Sequence, residues 1–200
     1  MALLTFPFPG GVRIIHNFKV MKKLILIALL FTAAFVANSQ SIPKWKMTDV
    51  EKYIANGKGD ILVINCWATF CKPCVAEIPS FIKTVDKYKA RHVKLLLVSL
   101  DLPSYYPAKI ATFAKSHHFK TNIVWLDETN ADYFCPKLDI SWSGSIPATL
   151  IINTKTGYRK FFEEEVTGEV FEAALKEAIE KPAVSKAADH SFDPSINEPG

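Results

Sequence analysis

Hydrophobic positions along this chain change their spacing several times, and each change marks an element. Residues 61–67 read ILVINCW, apolar almost throughout and rich in β-branched side chains, as a strand covered on both faces does. The spacing then lengthens: Val75, Ile78, Ile82 and Val85 recur every three or four residues, which predicts a helix over residues 72–90 with one buried stripe. A second buried strand follows at residues 93–100, VKLLLVSL. A helix with Pro107 in its first turn runs to about His117, residues 123–126 form a short strand, and residues 129–138 a further helix. Two strands, ATLIIN and YRKFF, are joined by turn residues 153–157. Thr167 caps a last helix that stops before Pro182. Ahead of all these, Thr48 and Glu51 have the spacing of a capping box for a short helix ending at Gly57.

A β-α-β start with long crossovers calls for parallel pairing, and a closing hairpin for antiparallel pairing. The expected fold class is therefore α/β, a mixed central sheet with helices on both faces.

The ends of the chain do not fit this pattern. Residues 21–39 begin with two lysines, continue with the apolar run 24–37 and close on small residues, the layout of a secretory signal peptide. Its nearly unbroken apolar run of 14 residues, interrupted at Thr32, falls short of the roughly twenty that cross a bilayer, which favours a cleaved signal over a retained anchor. Residues 1–20 fit no signal pattern and are expected to precede the true start at Met21. If they are part of the protein, a membrane anchor gains ground. Residues 40–181 are left as one domain, and residues 182–200, with three prolines and little apolar content, as a disordered tail. Arg13, Lys19, Lys22 and Lys23 account for the whole formal charge of +4, so the domain itself is near neutral and nucleic acid is not an expected partner.

Candidate chemistry sits where the first long strand meets its helix, in WATFCKPC. Cys71 and Cys74 are i and i+3 on a first helical turn, within disulfide reach. Cys71 precedes the turn, where unpaired N–H groups and the helix dipole favour an anion, so it is the nucleophile and Cys74 the resolving thiol. Lys72 either lowers the Cys71 pKa or is simply solvated. Pro73 needs no hydrogen bond in a first turn. A zinc site lacks ligands at suitable spacing, and a purely structural staple closing so short a loop would stabilise little.

WATFCKPC after an apolar strand, CVAEIP after the motif and GSIPATLIIN before a late strand together make residues 43–181 resemble the thioredoxin superfamily, most closely its secreted TlpA and ResA branch. The resemblance implies a thioredoxin fold, with Cys71 and Cys74 as the redox pair and Pro147 as a cis-proline beside it that presents the Ile146 backbone to a substrate. The residues alone would place Pro147 at a sheet edge, since only about 5–6% of X-Pro bonds are cis. Trp67 matches an aromatic residue beneath the active site. Glu77 matches an acid one turn beyond the second cysteine, placed to move the Cys74 proton through a water; its plain alternative is a surface acid. Asn65 stands where ordinary thioredoxins carry a buried aspartate. Phe70 replaces a tryptophan and keeps an aromatic wall.

Cys66 shares a strand face with Ile64 and is expected to be a buried free thiol. Cys135 lies on a helix of unknown facing, and a bond to Cys66 or to a partner stays open. His117 and His118 are expected at a helix end on the surface.

The resemblance implies a monomeric thiol-disulfide oxidoreductase of the periplasm or cell envelope, more as a reductase than an oxidant, with no cofactor beyond its own disulfide and no metal. Implied partners are client proteins with disulfides or thiols, from apocytochrome to envelope enzymes, and a membrane-bound thiol electron donor. The alternatives are a thiol peroxidase, suggested by Thr69 ahead of Cys71, and a copper-delivery module on the same fold.

Overall fold

The computed structural model describes residues 22–23 and 42–181. The chain divides into two units, Met1–Gln40 and Ser41–Gly200. In the first, residues 22 and 23 are helical and exposed; the expected signal peptide over 21–39 otherwise lies outside the described residues, as do residues 1–20 and the expected tail over 182–200. No helix among the described residues is long and apolar enough to cross a membrane.

In the second unit the strands are β1 (Lys44–Trp45), β2 (Ile61–Trp67), β3 (Val93–Ser99), β4 (Asn122–Leu126), β5 (Ala148–Asn153) and β6 (Arg159–Phe162). The helices are α1 (Met47–Ala55), α2 (Lys72–Tyr88), α3 (Ala108–Ser116), α4 (Ala131–Leu138) and α5 (Gly168–Glu180). One sheet in the order β1-β4-β3-β2-β5-β6 carries them. β2 pairs parallel with β3 from Ile61↔Val93 to Trp67↔Ser99, and antiparallel with β5 from Ile61↔Asn153 to Cys66↔Ala148. The mixed α/β sheet is thus the expected one. β2 is central, and each of its seven residues is buried, which is why its sequence shows no alternation.

Each face of β2 has its own core. Val63 and Trp67 pack with Ile78 and Phe81 of α2, Ile110 of α3 and Phe171 of α5, whereas Leu62, Ile64 and Cys66 pack with Met47 and Val50 of α1 and with Phe134 and Leu138 of α4. Period-two alternation therefore places Asn65 under α2, on the same side as Trp67.

Two sequence expectations are corrected. β1 has no periodic signature because it is only two residues long; it is held by Trp125 N–H to Pro43 O (2.9 Å) and Asp127 N–H to Trp45 O (2.8 Å). The Thr48–Glu51 capping box does not form, because α1 starts earlier, at an N-cap on Lys46. Asp49 accepts from the Lys46 N–H (3.0 Å), and Glu128, just past the end of the neighbouring strand β4, accepts from the Met47 N–H (3.1 Å). The end of α1 is as expected: a Cβ at Gly57 would lie 2.5 Å from the Thr154 side chain, so only glycine fits. Thr167 caps α5 by accepting from the Val170 N–H (3.4 Å).

Candidate active site

β2 ends at Trp67, and a tight turn closed by Cys71 N–H to Ala68 O (3.0 Å) delivers the chain to α2. Cys71 is the N-cap of that helix; its Sγ accepts from the Cys74 N–H at 3.3 Å, in the place where a Ser or Asp oxygen usually sits. Lys72 is exposed and Pro73 occupies the first turn, where a missing N–H costs nothing. Cys71 and Cys74 are joined by a disulfide across a Cα separation of 5.3 Å. Their environments differ as the helix position dictates: Cys71 retains 8% exposure and Cys74 none. An incoming sulfur can reach only Cys71.

The register of β5 on β2 places Pro147 one residue beyond the Ala148–Cys66 pair, level with Trp67 and so beside the exit toward Cys71. The Ile146–Pro147 bond is cis. Pro147 is buried and Ile146 half-buried. Trp67 is fully buried beneath, its ring 5.5 Å from Phe119 and 6.0 Å from Phe113. Phe70, 61% exposed, stands beside Cys71, and Leu102 is 58% exposed.

Glu77 is not a surface acid: it is 3% exposed, one helical turn past Cys74 on the inner face of α2. Asn65 Nδ2 donates to one carboxylate oxygen (2.8 Å) and the Val166 N–H to the other (2.9 Å). Burial pushes its pKa up from 4.5 to about 7, against these two hydrogen bonds, which pull it down, and with the help of the Glu165 charge. Asn65 also donates to Thr149 Oγ1 (2.9 Å), so its amide ties β5 to α2. Its Oδ1 has no partner among the described residues.

Sequence reasoning missed Thr149, Val166 and a second buried acid. Asp101 follows β3, is 4% exposed, and accepts from the Thr69 N–H (3.1 and 3.2 Å), the Thr69 hydroxyl (2.6 Å) and the Ser99 hydroxyl (2.8 Å). This fixes the turn ahead of Cys71. The available signal was a carboxylate two residues past a strand serine, which has no periodicity to mark it.

The remaining cysteines and histidines lie elsewhere. Cys66 and Cys135 are buried free thiols in the core on the opposite sheet face, and no bond joins them. Burial pushes both thiols up, Cys66 with a contribution from Cys135. His117 and His118 are exposed at the end of α3, His117 stacked on Phe113 with ring centres 3.9 Å apart. Among the described residues no group of three metal-binding side chains gathers.

The profile of the AhpC/TSA family matches residues 33–157. The thiol-disulfide oxidoreductase ResA of Geobacillus kaustophilus is 28% identical over 107 residues, covering 46% of this chain and 62% of that relative, so the match leaves more than a third of the relative unspanned. The ResA of Geobacillus thermodenitrificans is 23% identical over 176 residues, covering 80% of this chain and 94% of its own length. A thiol:disulfide interchange protein of the thioredoxin family from Chlorobium tepidum has the same fold, with a TM-score of 0.52 at 16% identity over 62% of this chain and 83% of that one.

Proposed function

We propose that this chain, which belongs to the AhpC/TSA family and has the thioredoxin fold, is a thiol-disulfide oxidoreductase working through Cys71 and Cys74. The observation that carries the reading is the asymmetric pair at the start of α2, one sulfur reachable and capping the helix, the other sealed and one turn from a buried carboxyl whose pKa lies near 7.

In the reduced state the Cys71 thiolate is stabilised by the Cys74 N–H and the helix dipole. It attacks one sulfur of a client disulfide, a Cys71–client bond forms, and the released client thiolate takes a proton. Cys74 then gives its proton to Glu77 and attacks the Cys71 sulfur. The mixed disulfide breaks, Cys71–Cys74 closes, and the second client thiolate leaves with a proton. The client gains two electrons and the chain loses two. Ile146, next to the buried Pro147, offers its backbone to the client as an added strand would, and Phe70 walls the site.

The proposed compartment, the periplasm or cell envelope, is supported by residues 21–39, which read as a secretory signal peptide. In an oxidising compartment the reducing direction requires a supply of electrons, assigned to a membrane-bound thiol donor; the protein acts as a monomer with no cofactor other than its disulfide. The peroxidase alternative would use the Thr69 hydroxyl as a donor beside Cys71, whereas that hydroxyl donates to the buried Asp101 carboxylate (2.6 Å).

The test is a trapping experiment. Cys74→Ser incubated with a disulfide-bonded polypeptide should accumulate a mixed disulfide through Cys71, seen on non-reducing gels and by mass spectrometry, and Cys71→Ser should form none. Absence of any adduct would sink the reading. A reduction potential of about −250 mV or lower would fix the reducing direction, and one near about −120 mV would reverse it.

A further inference from the structure

The connection from α4 to β5 carries Ile146 and Pro147, and the adjacent edge strand β6 grips it at two points. At one end Arg159 donates to Leu138 O (2.5 Å) and pairs with Asp139 (3.7 Å). At the other, the half-buried Glu163, directly after β6, accepts from the Ser143 N–H (3.0 Å to each oxygen), the Ser145 N–H (2.9 Å) and the Ser143 hydroxyl. Gly144 between the two serines has φ +103°, a conformation that turns both neighbouring N–H groups toward one carboxylate. Trp142 Nε1 donates to Ser145 O (2.8 Å) and completes the fixation of Ser145. The next residue is Ile146, neither of whose backbone groups has a backbone hydrogen bond among the described residues.

We propose that Glu163 is a positioning residue for polypeptide substrates: its carboxylate sets the 143–145 loop so that the Ile146 backbone is held ready beside the disulfide. The inference rests on the oxidoreductase reading above and adds the class of substrate that depends on the loop. A client strand must align its main chain on Ile146 before its sulfur meets Cys71. A small aromatic disulfide needs only Cys71. Losing the Glu163 clasp therefore separates the two kinds of substrate, whereas general damage to the site would slow both.

The experiment compares the full chain with Glu163→Ala and Glu163→Gln, using insulin as the polypeptide disulfide with dithiothreitol as the electron source for turnover, and 5,5′-dithiobis(2-nitrobenzoate) as the small one in a single turnover of protein reduced beforehand and freed of dithiothreitol. Glu163→Ala should raise KM for insulin by about tenfold with kcat held, the equivalent of one charge-assisted hydrogen bond. Its rate with the small disulfide should stay within about twofold of the parent, because mutations at groups that bind a substrate only remotely act through binding. Glu163→Gln keeps one oxygen acceptor and should fall between the two. Amide exchange at Ser145 and Ile146 should accelerate in the same order. An unchanged KM for insulin, or an equal loss on both substrates, would overturn the role of Glu163. A parent protein inactive on both disulfides would instead overturn the oxidoreductase reading beneath it.

Discussion

Asn65 and Glu77 meet in the interior at 2.8 Å, the amide nitrogen of a central strand donating to the carboxylate of the helix that carries the cysteines. The contact lies on the sheet face that also holds Trp67 and Cys74, so a titrating group is built into the layer directly below the disulfide.

Stability should therefore depend on pH through Glu77. Its folded pKa, about 7, lies above its ordinary 4.5, so the folded state binds the proton more tightly than the unfolded chain. The stabilisation is full below about pH 4.5 and is lost as pH rises through 7, a change of about 3 kcal/mol in all. Glu77→Gln should flatten this dependence between pH 5 and pH 8 in denaturant unfolding. The unpaired Asn65 Oδ1 can accept the new amide N–H after rotation. A slope equal to that of the parent would disprove the assignment. The same variant should slow release of the mixed disulfide by about 100-fold or more if Glu77 is the base.

Thr69 and Asp101 give a second expectation. Thr69→Val deletes the 2.6 Å hydrogen bond to a buried carboxylate and should cost about 1–3 kcal/mol in unfolding free energy. Because the backbone N–H of residue 69 still holds Asp101, the disulfide should remain reducible. Stability unchanged within error would mean that Asp101 is satisfied without the hydroxyl.

Accessibility of sulfur supplies a third. In the reduced, folded protein, an aromatic disulfide reagent should release two equivalents of aromatic thiolate, one as Cys71 attacks it and one as Cys74 resolves the adduct, so that two of the four cysteines react and the other two only after denaturation. Cys66 and Cys135 are buried and their thiols shifted up by burial, which suppresses the thiolate that reacts. Rapid labelling of a third cysteine without denaturant would contradict this.

The last concerns the anchoring of α2. Phe81 is fully buried with its ring stacked on Phe171 of α5, centres 4.0 Å apart. Phe81→Ala should cost about 3–5 kcal/mol. The double variant with Phe171→Ala should be less destabilised than the sum by about 0.5–1.5 kcal/mol, the coupling of a stacked pair. Strict additivity would show that the rings act through separate neighbours.

Much of this was legible in order along the chain. β2 and β3 announce themselves by unbroken apolar runs, because a strand buried on both faces has no polar side to show. α2 announces itself by stripe spacing, because only one of its faces is covered. The position of Cys71 at the helix mouth follows from the same pattern, and with it the difference between the two sulfurs. The cis state of Pro147 came from resemblance, since no local feature distinguishes it. β1 was invisible, being two residues without a period, and the start of α1 was misplaced because Glu128, 81 residues away, supplies one of its caps.

Local periodicity, then, determined the elements, the sheet type and the address of the reactive sulfur, all of which depend on neighbours a few residues apart. What it left undecided was whether Glu77 faces water or the core. Only the folded chain settles that, by bringing Asn65 from β2 and the Val166 N–H from 89 residues away onto the same carboxylate. Desolvation depends on everything packed around a group, and those neighbours are assembled by tertiary structure rather than written beside it in sequence.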